Sequence, residues 1–244
     1  DETSGATAAD SSSNSNTGTL NNMNDSDWIT GQYGNALDFD GTDDYISVAD
    51  DASMEFGTGS FSISLWVKAR VPGAVSMMII NGTSGGGYSG KRYSLRYDDD
   101  DVIFVVDDDS KKTSSATTTN FLSDQGWHHV VAVRDRAADK MYTYADTSLI
   151  RTSNDGTNNS IDSAGEPVYI ARDGIDQAVT YVDGQLDEIC LFDYALSQAE
   201  IDDLYNGIQP TPPPGQASNP SPADSATDVA VDTDLSWTAG TDAT

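Results

Sequence analysis

The stretch that decides the fold is Gly184-Gln185-Leu186-Asp187-Glu188-Ile189-Cys190-Leu191-Phe192-Asp193-Tyr194-Ala195-Leu196-Ser197. Its first part predicts a β-strand, because Leu186, Cys190 and Phe192 share one alternating face while Ile189 and Leu191 lie on the other. A strand with so few polar positions is expected in the centre of a β-sandwich. The single cysteine of the chain, Cys190, is then expected to be a small buried apolar residue.

The period of the sequence changes at Ser197. Ser197 and Glu200 have the spacing of a capping box, in which each side chain accepts a hydrogen bond from the backbone N–H of the other residue. The apolar face that follows consists of Ile201, Leu204 and Tyr205. Gly207 supplies a residue suited to ending a helix. The strand is therefore predicted to run directly into a short helix.

This strand-to-helix motif resembles the closing motif of the bacterial laminin-G-like, concanavalin A-like jelly rolls. Residues 34–46, 61–68 and 126–133 resemble further blocks of the same family in the same order. The resemblance covers residues 1–208 and implies an all-β fold. That fold is a two-sheet antiparallel jelly-roll sandwich with one short C-terminal helix and an extended tail.

Local patterns predict several of the strands. Residues 36–39 and 45–48 flank a turn-forming cluster and predict a hairpin. In residues 61–68, alternation directs Phe61 to the core and Trp66 to the opposite face. The apolar run 102–106 lies between two acidic runs, which are interpreted as charged turns exposed to solvent.

The composition is strongly acidic. A net charge of -28 and a pI near 4.1 exclude nucleic-acid binding as a main role, because a phosphate backbone would be repelled. No apolar run approaches the length of a membrane span, so no membrane insertion is expected. The one cysteine excludes an internal disulfide.

Catalytic motifs are missing. Glycan hydrolases of the resembling superfamily place paired carboxylates on a strand of the pattern Glu-x-Asp-x-Glu, whereas Glu188 is followed here by Cys190 and Phe192. The two histidines, His128 and His129, are adjacent and face opposite sides of a strand, so they cannot share a catalytic task. The chain is therefore not predicted to be an enzyme.

The composition changes after residue 208. Residues 209–219 predict a Pro-rich, semi-rigid linker. Residues 220–244 resemble the first strands of a fibronectin-III-like module and otherwise predict an extended tail. In the resembling family a short apolar strand precedes the segment at residues 1–5, which implies an open groove in this domain. The tail residues expected to fill such a groove in a neighbouring copy are Val229, Val231, Leu235 and Trp237.

Two functions remain open. The first is a non-catalytic extracellular module of a bacterial cell surface, acting in adhesion or as a structural subunit of a fibre-like assembly. Its partners would be neighbouring copies of itself, joined by the tail, or another domain of the same protein. The alternative is a carbohydrate-binding module of a secreted multidomain protein, with glycans as partners. The aromatic candidates for that role are Trp66, Tyr88, Tyr97 and Tyr181. For Trp66, packing under a covering loop is favoured over stacking on a sugar ring.

Calcium is the predicted cofactor. In the resembling family an ion commonly lies where the early polar loop meets the closing strand. Carried over to this sequence, the resemblance implies the ligands Asp10, Asn14, Asn16 and Asp187. A second acidic group consists of Asp38, Asp40, Asp43 and Asp44, without the glutamate of an EF-hand loop.

Overall fold

A computed structural model describes the chain at residues 2–70, 75–82, 90–98, 101–118, 121–173, 180–210, 218–221 and 236–238. The first strands are β1 (Thr7–Ala8), β2 (Gly18–Asn21), β3 (Trp28–Thr30), β4 (Asn35–Asp40) and β5 (Tyr45–Val48). The next are β6 (Phe61–Ala69), β7 (Ser76–Gly82), β8 (Lys91–Asp98), β9 (Asp101–Asp108) and β10 (Lys112–Thr118).

The chain continues with β11 (His128–Asp135), β12 (Lys140–Ala145), β13 (Ser148–Asn154), β14 (Val168–Ile170) and β15 (Asp183–Phe192). After them come the helix α1 (Gln198–Tyr205) and the strands β16 (Ser218–Ser221) and β17 (Ser236–Thr238). Short 3-10 helices lie at Asp25–Asp27, Ala52–Met54 and Phe121–Asp124. Among the described residues, no helix combines the length and apolar character that a membrane crossing requires.

Two antiparallel sheets form the sandwich. Sheet A has 8 strands in the order β1-β2-β5-β14-β7-β8-β9-β10. Sheet B has 7 strands in the order β13-β12-β11-β6-β15-β4-β3. This arrangement confirms the predicted jelly-roll class, with one short α-helix after the last sandwich strand.

Side chains from the facing sides of the two sheets form the main core. In β6, Phe61, Ile63 and Leu65 are each fully buried in it, as the alternation predicts. From sheet A, Leu95 and Phe104 meet them, and both are also 0% exposed. Burial of each such side chain stabilises the fold by about 1.5 to 3 kcal/mol.

The turn at residues 40–44 differs from the prediction. The sequence predicts a hairpin, but β4 belongs to sheet B and pairs with β15, whereas β5 belongs to sheet A and pairs with β2 and β14. The buried Asp44 holds the turn, because its Oδ2 accepts a hydrogen bond from the backbone N–H of Asp40. Turn-forming residues indicated a change of direction correctly, but they do not specify whether the flanking strands pair with each other.

The end of the sandwich strand β15 is more exposed than predicted. Its pairing with β4 covers only residues 183–186, and its pairing with β6 is interrupted by a bulge between Asp187 and Cys190. Glu188 has a φ of 46° within that bulge. Cys190 and its neighbours are therefore half-buried rather than buried.

Helix α1 follows the predicted pattern. Ser197 Oγ accepts from the N–H of Glu200, and a Glu200 carboxylate oxygen accepts from the N–H of Ser197, which completes the capping box. Ile201 and Leu204 are buried against Val131 and Val133 on the side of sheet B that points away from sheet A. The helix therefore covers part of that face.

Gly207 follows helix α1 with a φ of +74°, a conformation that favours glycine. A Cβ at this position would lie 2.7 Å from the Tyr33 ring. Any larger residue at position 207 would therefore clash with Tyr33 as well as strain the backbone.

The chain divides into two compact units, Asp1–Gly207 and Ile208–Thr244. In the second unit, β16 and β17 pair antiparallel with each other. Three of the predicted assembly residues, Val229, Val231 and Leu235, lie outside the described residues, and Trp237 lies in β17. The fibronectin-III-like continuation and the assembly role of the tail stay predictions.

Candidate functional site

One side of sheet A points away from sheet B, and we call it the outer face of sheet A. In β8, residues 93, 95 and 97 enter the core, so Arg92, Ser94 and Arg96 lie on the outer face. The same alternation places Tyr45 of β5 and Tyr169 of β14 there, because their strand neighbours enter the core. Residues distant in the sequence thus meet on one surface.

The first feature of this surface is an aromatic cluster of Tyr45, Tyr169, Tyr181 and Arg172. The rings of Tyr45 and Tyr169 meet edge to face at 6.0 Å, and Tyr181 lies 6.4 Å from Tyr45. The Arg172 guanidinium carbon lies 4.7 Å from the centre of the Tyr45 ring and 5.0 Å from that of Tyr169. These distances are within the range of cation–π attraction. All four side chains are half-buried, so they keep some access to solvent.

The second feature is a charged cluster of Arg92, Arg96, Lys112 and Asp107. In the strand register, Asp107 of β9 lies opposite Arg92 of β8 on one side and opposite Lys112 of β10 on the other. Arg96 is four residues from Arg92 and therefore points to the same face of β8. Arg92 is 8% exposed and Asp107 is 1% exposed, while Arg96 and Lys112 are half-buried.

The charges in this cluster influence one another. Burial lowers the pKa of Arg92, and Arg96 lowers it further, against the opposite effect of Asp107 and Asp173. Burial also lowers the pKa of Lys112, and the neighbouring Arg92 and Arg96 add to that effect more strongly than Asp107 opposes it. Burial raises the pKa of Asp107, although the N–H of Asp109 and the two flanking cations oppose the rise. Arg92 and Arg96 thus act, after burial, against the charged form of Lys112.

Part of the hydrogen-bonding capacity of the charged cluster is unused. Within the described part of the chain, Nε of Arg92, Nε of Arg96 and Oδ2 of Asp107 are buried without a hydrogen-bond partner. Buried polar groups usually have partners, so each exception calls for a physical explanation. Two donors and one acceptor of this cluster are therefore unpaired below the surface of the outer face.

Apolar side chains connect the two clusters. Met77, Ile80 and Val105 are buried on the outer face at 5%, 1% and 4% exposure. β14, which carries Tyr169, is two strands away from β8, which carries Arg92, a separation of roughly 10 Å at the usual strand spacing. The two clusters therefore lie on one face of the sheet, with buried apolar side chains between them.

The predicted aromatic candidates occupy different places. Trp66 is 3% exposed on the far side of sheet B, 5.9 Å from the Tyr33 ring and 5.2 Å from that of Tyr205. Tyr97 is 1% exposed and enters the core between the sheets. Neither presents a ring to a ligand. Tyr181 belongs to the aromatic cluster, and Tyr88 lies outside the described residues.

The predicted calcium ligands of the early loop form hydrogen bonds within the loop and to Ser53. The Asp10 carboxylate accepts from the N–H groups of Ser12 and Asn16, each at 2.8 Å. The Asn16 amide donates to Ser53 Oγ at 2.8 Å, and the exposed Asn14 donates its N–H to Ser12. The Asp10 and Asn14 contacts fold the loop on itself, and the Asn16 contact joins it to the 3-10 helix Ala52–Met54.

Asp187, the fourth predicted ligand, is 5% exposed in β15. Its oxygens accept from the N–H groups of Tyr33 and Glu188, both at 2.9 Å. Burial raises its pKa although these donors oppose the rise. Asp187 and Asp10 thus accept hydrogen bonds from different backbone segments, and the calcium site that the resemblance implies stays a prediction.

The second acidic group of the sequence, Asp38, Asp40, Asp43 and Asp44, contains three neighbouring carboxylates. Carboxylate oxygens of Asp40, Asp43 and Asp44 lie within 4.8 Å of one another, and they are the acidic residues of the described chain that form such a group. Asp38 is not part of it, because its carboxylate forms an ion pair with Arg70. Burial, together with the neighbouring carboxylates, raises the pKa of Asp44 to about 6.

A serine–histidine pair occurs on sheet B. Ser64 Oγ and His129 Nε2 are 2.8 Å apart, a distance typical of a nucleophile and its base. Both residues are 1% exposed, and in the described chain His129 Nδ1 has no hydrogen-bond partner that would orient the ring. Burial lowers the pKa of His129 to about 4. This geometry is that of a structural hydrogen bond without access for a substrate.

The charged cluster is the part of the site that sequence reasoning missed. The sequence pattern predicts an exposed turn for the acidic run after residues 102–106, whereas Asp107 and Asp108 continue β9 and are buried. A usable signal was present in β8, where Arg92 and Arg96 share one face of a strand in a chain with 12 Lys and Arg residues against 40 Asp and Glu. Repeated cations on one strand face of so acidic a chain indicate a local function.

Solved structures with the same fold include several binding domains. The binding domain of Paraclostridial Mosquitocidal Protein 1 has a TM-score of 0.63 at 15% identity, covering 82% of this chain and 49% of that one. The receptor binding domain of botulinum neurotoxin C/D mosaic serotype has a TM-score of 0.62 at 16% identity, covering 82% of this chain and 48% of that one. The chain thus spans about half the length of these two structures.

A smaller structure is similar over most of its length. The Ruminococcus gnavus IT-sialidase CBM40 bound to alpha2,3 sialyllactose has a TM-score of 0.55 at 15% identity, covering 70% of this chain and 96% of that one. At these identities the likeness concerns the fold alone. No curated protein sequence matches the chain.

A family model matches most of the sandwich. The laminin G model described as "Concanavalin A-like lectin/glucanases superfamily" matches residues 40–202, which is more than half of the chain. The match includes strands of both sheets, β15 and part of helix α1. The chain therefore belongs to the laminin G family of the concanavalin A-like lectin and glucanase superfamily.

Proposed function

We propose that the protein is a non-catalytic glycan-binding domain and that it binds glycans on the outer face of sheet A. The observation that carries this proposal is the placement of the aromatic cluster and the charged cluster on one face of one sheet. Family membership supports the proposal, as does the similarity to solved domains whose names describe receptor binding or a bound sialylated sugar.

The chemistry of the two clusters suits a sugar. Tyrosine rings offer an apolar surface and a polar hydroxyl, so Tyr45 and Tyr169 can pack on the C–H face of a pyranose and bond its hydroxyl groups. The half-buried Arg96 and Lys112 add cationic donors on the same face. Sites of this kind combine apolar contact area with a few placed polar groups.

We expect binding without catalysis. The strand that carries paired carboxylates in glycan hydrolases has Cys190 and Phe192 at those positions. The buried Ser64 and His129 do not reach a substrate. We further propose that the domain acts outside a bacterial cell, in contact with cell-surface glycans, where adhesion would be its physiological role.

The proposal is tested by screening the full chain against a glycan array and measuring affinity for each hit by isothermal titration calorimetry. Tyr169→Ala should weaken binding at least about tenfold, because it removes one stacking surface worth roughly 1.5 to 3 kcal/mol. Tyr169→Phe keeps the ring and should retain most of the affinity. Binding that is unchanged in Tyr169→Ala and Tyr45→Ala would contradict the assignment of this face.

A structural role in a fibre-like assembly is the other function that the sequence predicts. The pairing of β16 with β17 gives each described tail strand one partner within its own unit. Assembly through the tail stays a prediction, and its test is given in the Discussion.

A further inference from the structure

We propose a second binding site, a cleft on the outer face of sheet B that binds the carboxylate of a small organic acid. The outer face of sheet B is the side that points away from sheet A. The ligand class is a monocarboxylate, either a uronic acid or a short aliphatic acid. This site is separate from the proposed glycan site on sheet A, and neither proposal depends on the other.

The cleft lies where strand β6 ends and strand β15 begins. It is half-open, has a volume of about 110 Å³ and is lined by Lys68, Ala69, Arg70, Gln125, Gly184 and Gln185. A closed cavity of about 150 Å³ holds a benzene molecule. The cleft therefore has room for a carboxylate and the carbon atoms next to it, while the rest of the ligand stays in solvent.

Two polar side chains of the cleft are neighbours across the sheet. Val67 and Leu186 enter the core, so the adjacent Lys68 and Gln185 lie on the outer face of sheet B. In the strand register, Lys68 lies opposite Gln185. The Cβ atoms of such a pair are about 4.5 to 5.5 Å apart. The ammonium group and the amide are thus close enough to donate to the two oxygens of one carboxylate.

Both side chains are available to a ligand. Lys68 and Gln185 are half-buried, so each keeps access to solvent. In the part of the chain that the structure describes, neither side chain forms a hydrogen bond, and Lys68 has no ion pair. A pocket with a few convergent, accessible polar groups is the usual form of a small-molecule site.

Arg70 explains why Lys68 lacks a counter-ion. The Arg70 guanidinium forms ion pairs with Asp38 of β4 and Asp183 of β15, and both of these carboxylates lie beside the cleft. Gln125 donates its side-chain amide to the carbonyl oxygen of Arg70 at 3.1 Å, which fixes one wall of the cleft. Of these two cations and two carboxylates in the described chain, Lys68 is the one without a partner of opposite charge.

A single carboxylate suits this cleft better than a neutral or a doubly charged group. Lys68 supplies one positive charge, and hydrogen bonds from a charged donor to an oxyanion are stronger than neutral ones. A dianion would bring a second negative charge into a molecule of net charge -28 without a second unpaired cation in the cleft. The next carboxylate along β15, that of Asp187, accepts from the N–H groups of Tyr33 and Glu188.

The test measures binding of matched probes to the full chain by two-dimensional NMR titration. The salt concentration is about 0.15 M, where a Debye length of about 8 Å screens the charge of the rest of the molecule. Galacturonate is compared with its methyl ester, and propionate with propionamide. We expect at least one acid to bind about tenfold more tightly than its neutral match, with a Kd of about 1 mM. Binding of both acids identifies the carboxylate as the recognised group, whereas binding of galacturonate alone identifies a uronic acid.

Variants assign the effect to the cleft. Lys68→Gln should remove most of the preference for the acid, and Gln185→Leu should weaken binding because it removes one donor. Lys91→Gln removes the same charge from a half-buried position of β8 in sheet A and should leave the preference unchanged. Tyr169→Ala, which tests the glycan site, should also leave it unchanged. Thermal unfolding confirms that each variant is folded, and the comparison of matched probes on the wild type needs no variant.

Three results would overturn the proposal. The first is equal binding of each acid and its neutral match, and the second is no binding of either acid at about ten times the expected Kd. The third is a preference for the acid that persists in Lys68→Gln or disappears in Tyr169→Ala, because the acid then binds elsewhere on the molecule. Each of these results leaves the glycan site on sheet A to be judged by its own test.

Discussion

Arg134 and Asp155 form an ion pair inside the sandwich, with 2.8 Å between Nε and Oδ2 and 0% exposure of both side chains. The remaining donors of Arg134 bind the carbonyl oxygens of Gly57 and Gly59 and the hydroxyl of Thr157. Each of the three guanidinium nitrogens thus donates at least one hydrogen bond within the chain. The guanidinium connects β11 to the segment before β6 and to the segment after β13.

The first prediction concerns this pair. Asp155→Ala should lower the free energy of unfolding by about 3 to 5 kcal/mol, because it leaves a buried cation without its counter-charge. Urea denaturation followed by circular dichroism measures the change. Asp139→Ala is the control, since Asp139 is 72% exposed and lies 3.3 Å from Arg136 at the surface. That variant should lose less than about 1 kcal/mol, and an equal loss in both would contradict the prediction.

The second prediction is a pH dependence of stability that arises from Glu55. Burial, followed by repulsion from Asp162 and Asp50, raises the pKa of Glu55 from 4.5 to about 7. The folded state therefore holds a proton that the unfolded state has released between pH 4.5 and about 7. Stability should fall as the pH rises through this window. Glu55→Gln should flatten the fall, which melting temperatures measured across the window will show.

The control for Glu55 is Glu166→Gln, which removes a half-buried carboxyl group elsewhere and should retain the slope. Asp44, whose pKa is raised to about 6, contributes a slope of the same sign. Part of the pH dependence should therefore remain in Glu55→Gln. A slope identical to that of the wild type would show that Glu55 titrates normally.

Local sequence patterns predicted the parts of the fold that depend on local physics. The capping box at Ser197 and Glu200, the buried face of Phe61 and Ile63, and the direction of Trp66 all follow from periods of two or 3.6 residues. The partial exposure of Cys190 does not follow from such a period, because it depends on how far β4 extends along β15.

Local patterns could not predict the candidate site either, because it depends on contacts between strands that are distant in the sequence. Tyr45 and Tyr169 touch because β5 and β14 are neighbours in sheet A, although many strands separate them in the sequence. The charged cluster needs the register of β8, β9 and β10, which places Asp107 between Arg92 and Lys112. Register between strands is set by the whole core, so no single segment reveals it.

The third prediction concerns calcium. We expect that adding calcium to chelator-treated protein raises the melting temperature, because an ion bound only by the folded chain stabilises it. The increase should disappear in Asp44→Asn, since the carboxylates of Asp40, Asp43 and Asp44 lie within 4.8 Å of one another. It should persist in Asp10→Asn, because Asp10 is engaged by backbone N–H groups. If the melting temperature is the same with calcium and with chelator, the sequence prediction of a calcium site is refuted.

The fourth prediction is assembly through the tail. If Val229 and Val231, or Leu235 and Trp237, insert into an open groove of a neighbouring copy, deletion of residues 220–244 should leave monomers. The deletion should not unfold the sandwich, because residues 1–207 form a compact unit with its own core. Electron microscopy and light scattering compare the full chain with the truncated one, and circular dichroism checks the fold.

The single variant Trp237→Ala sharpens this test, since it removes the largest apolar side chain of β17 and leaves the length of the tail unchanged. Burial of a large apolar side chain in a neighbour's groove contributes about 1.5 to 3 kcal/mol, so Trp237→Ala should weaken association at least about tenfold. Because β16 and β17 pair with each other, strand exchange also requires that this pairing open or that the pair add to the neighbour as a unit. Assemblies that form equally well without residues 220–244, or a full-length chain that remains monomeric at all concentrations, would exclude the tail as the connector.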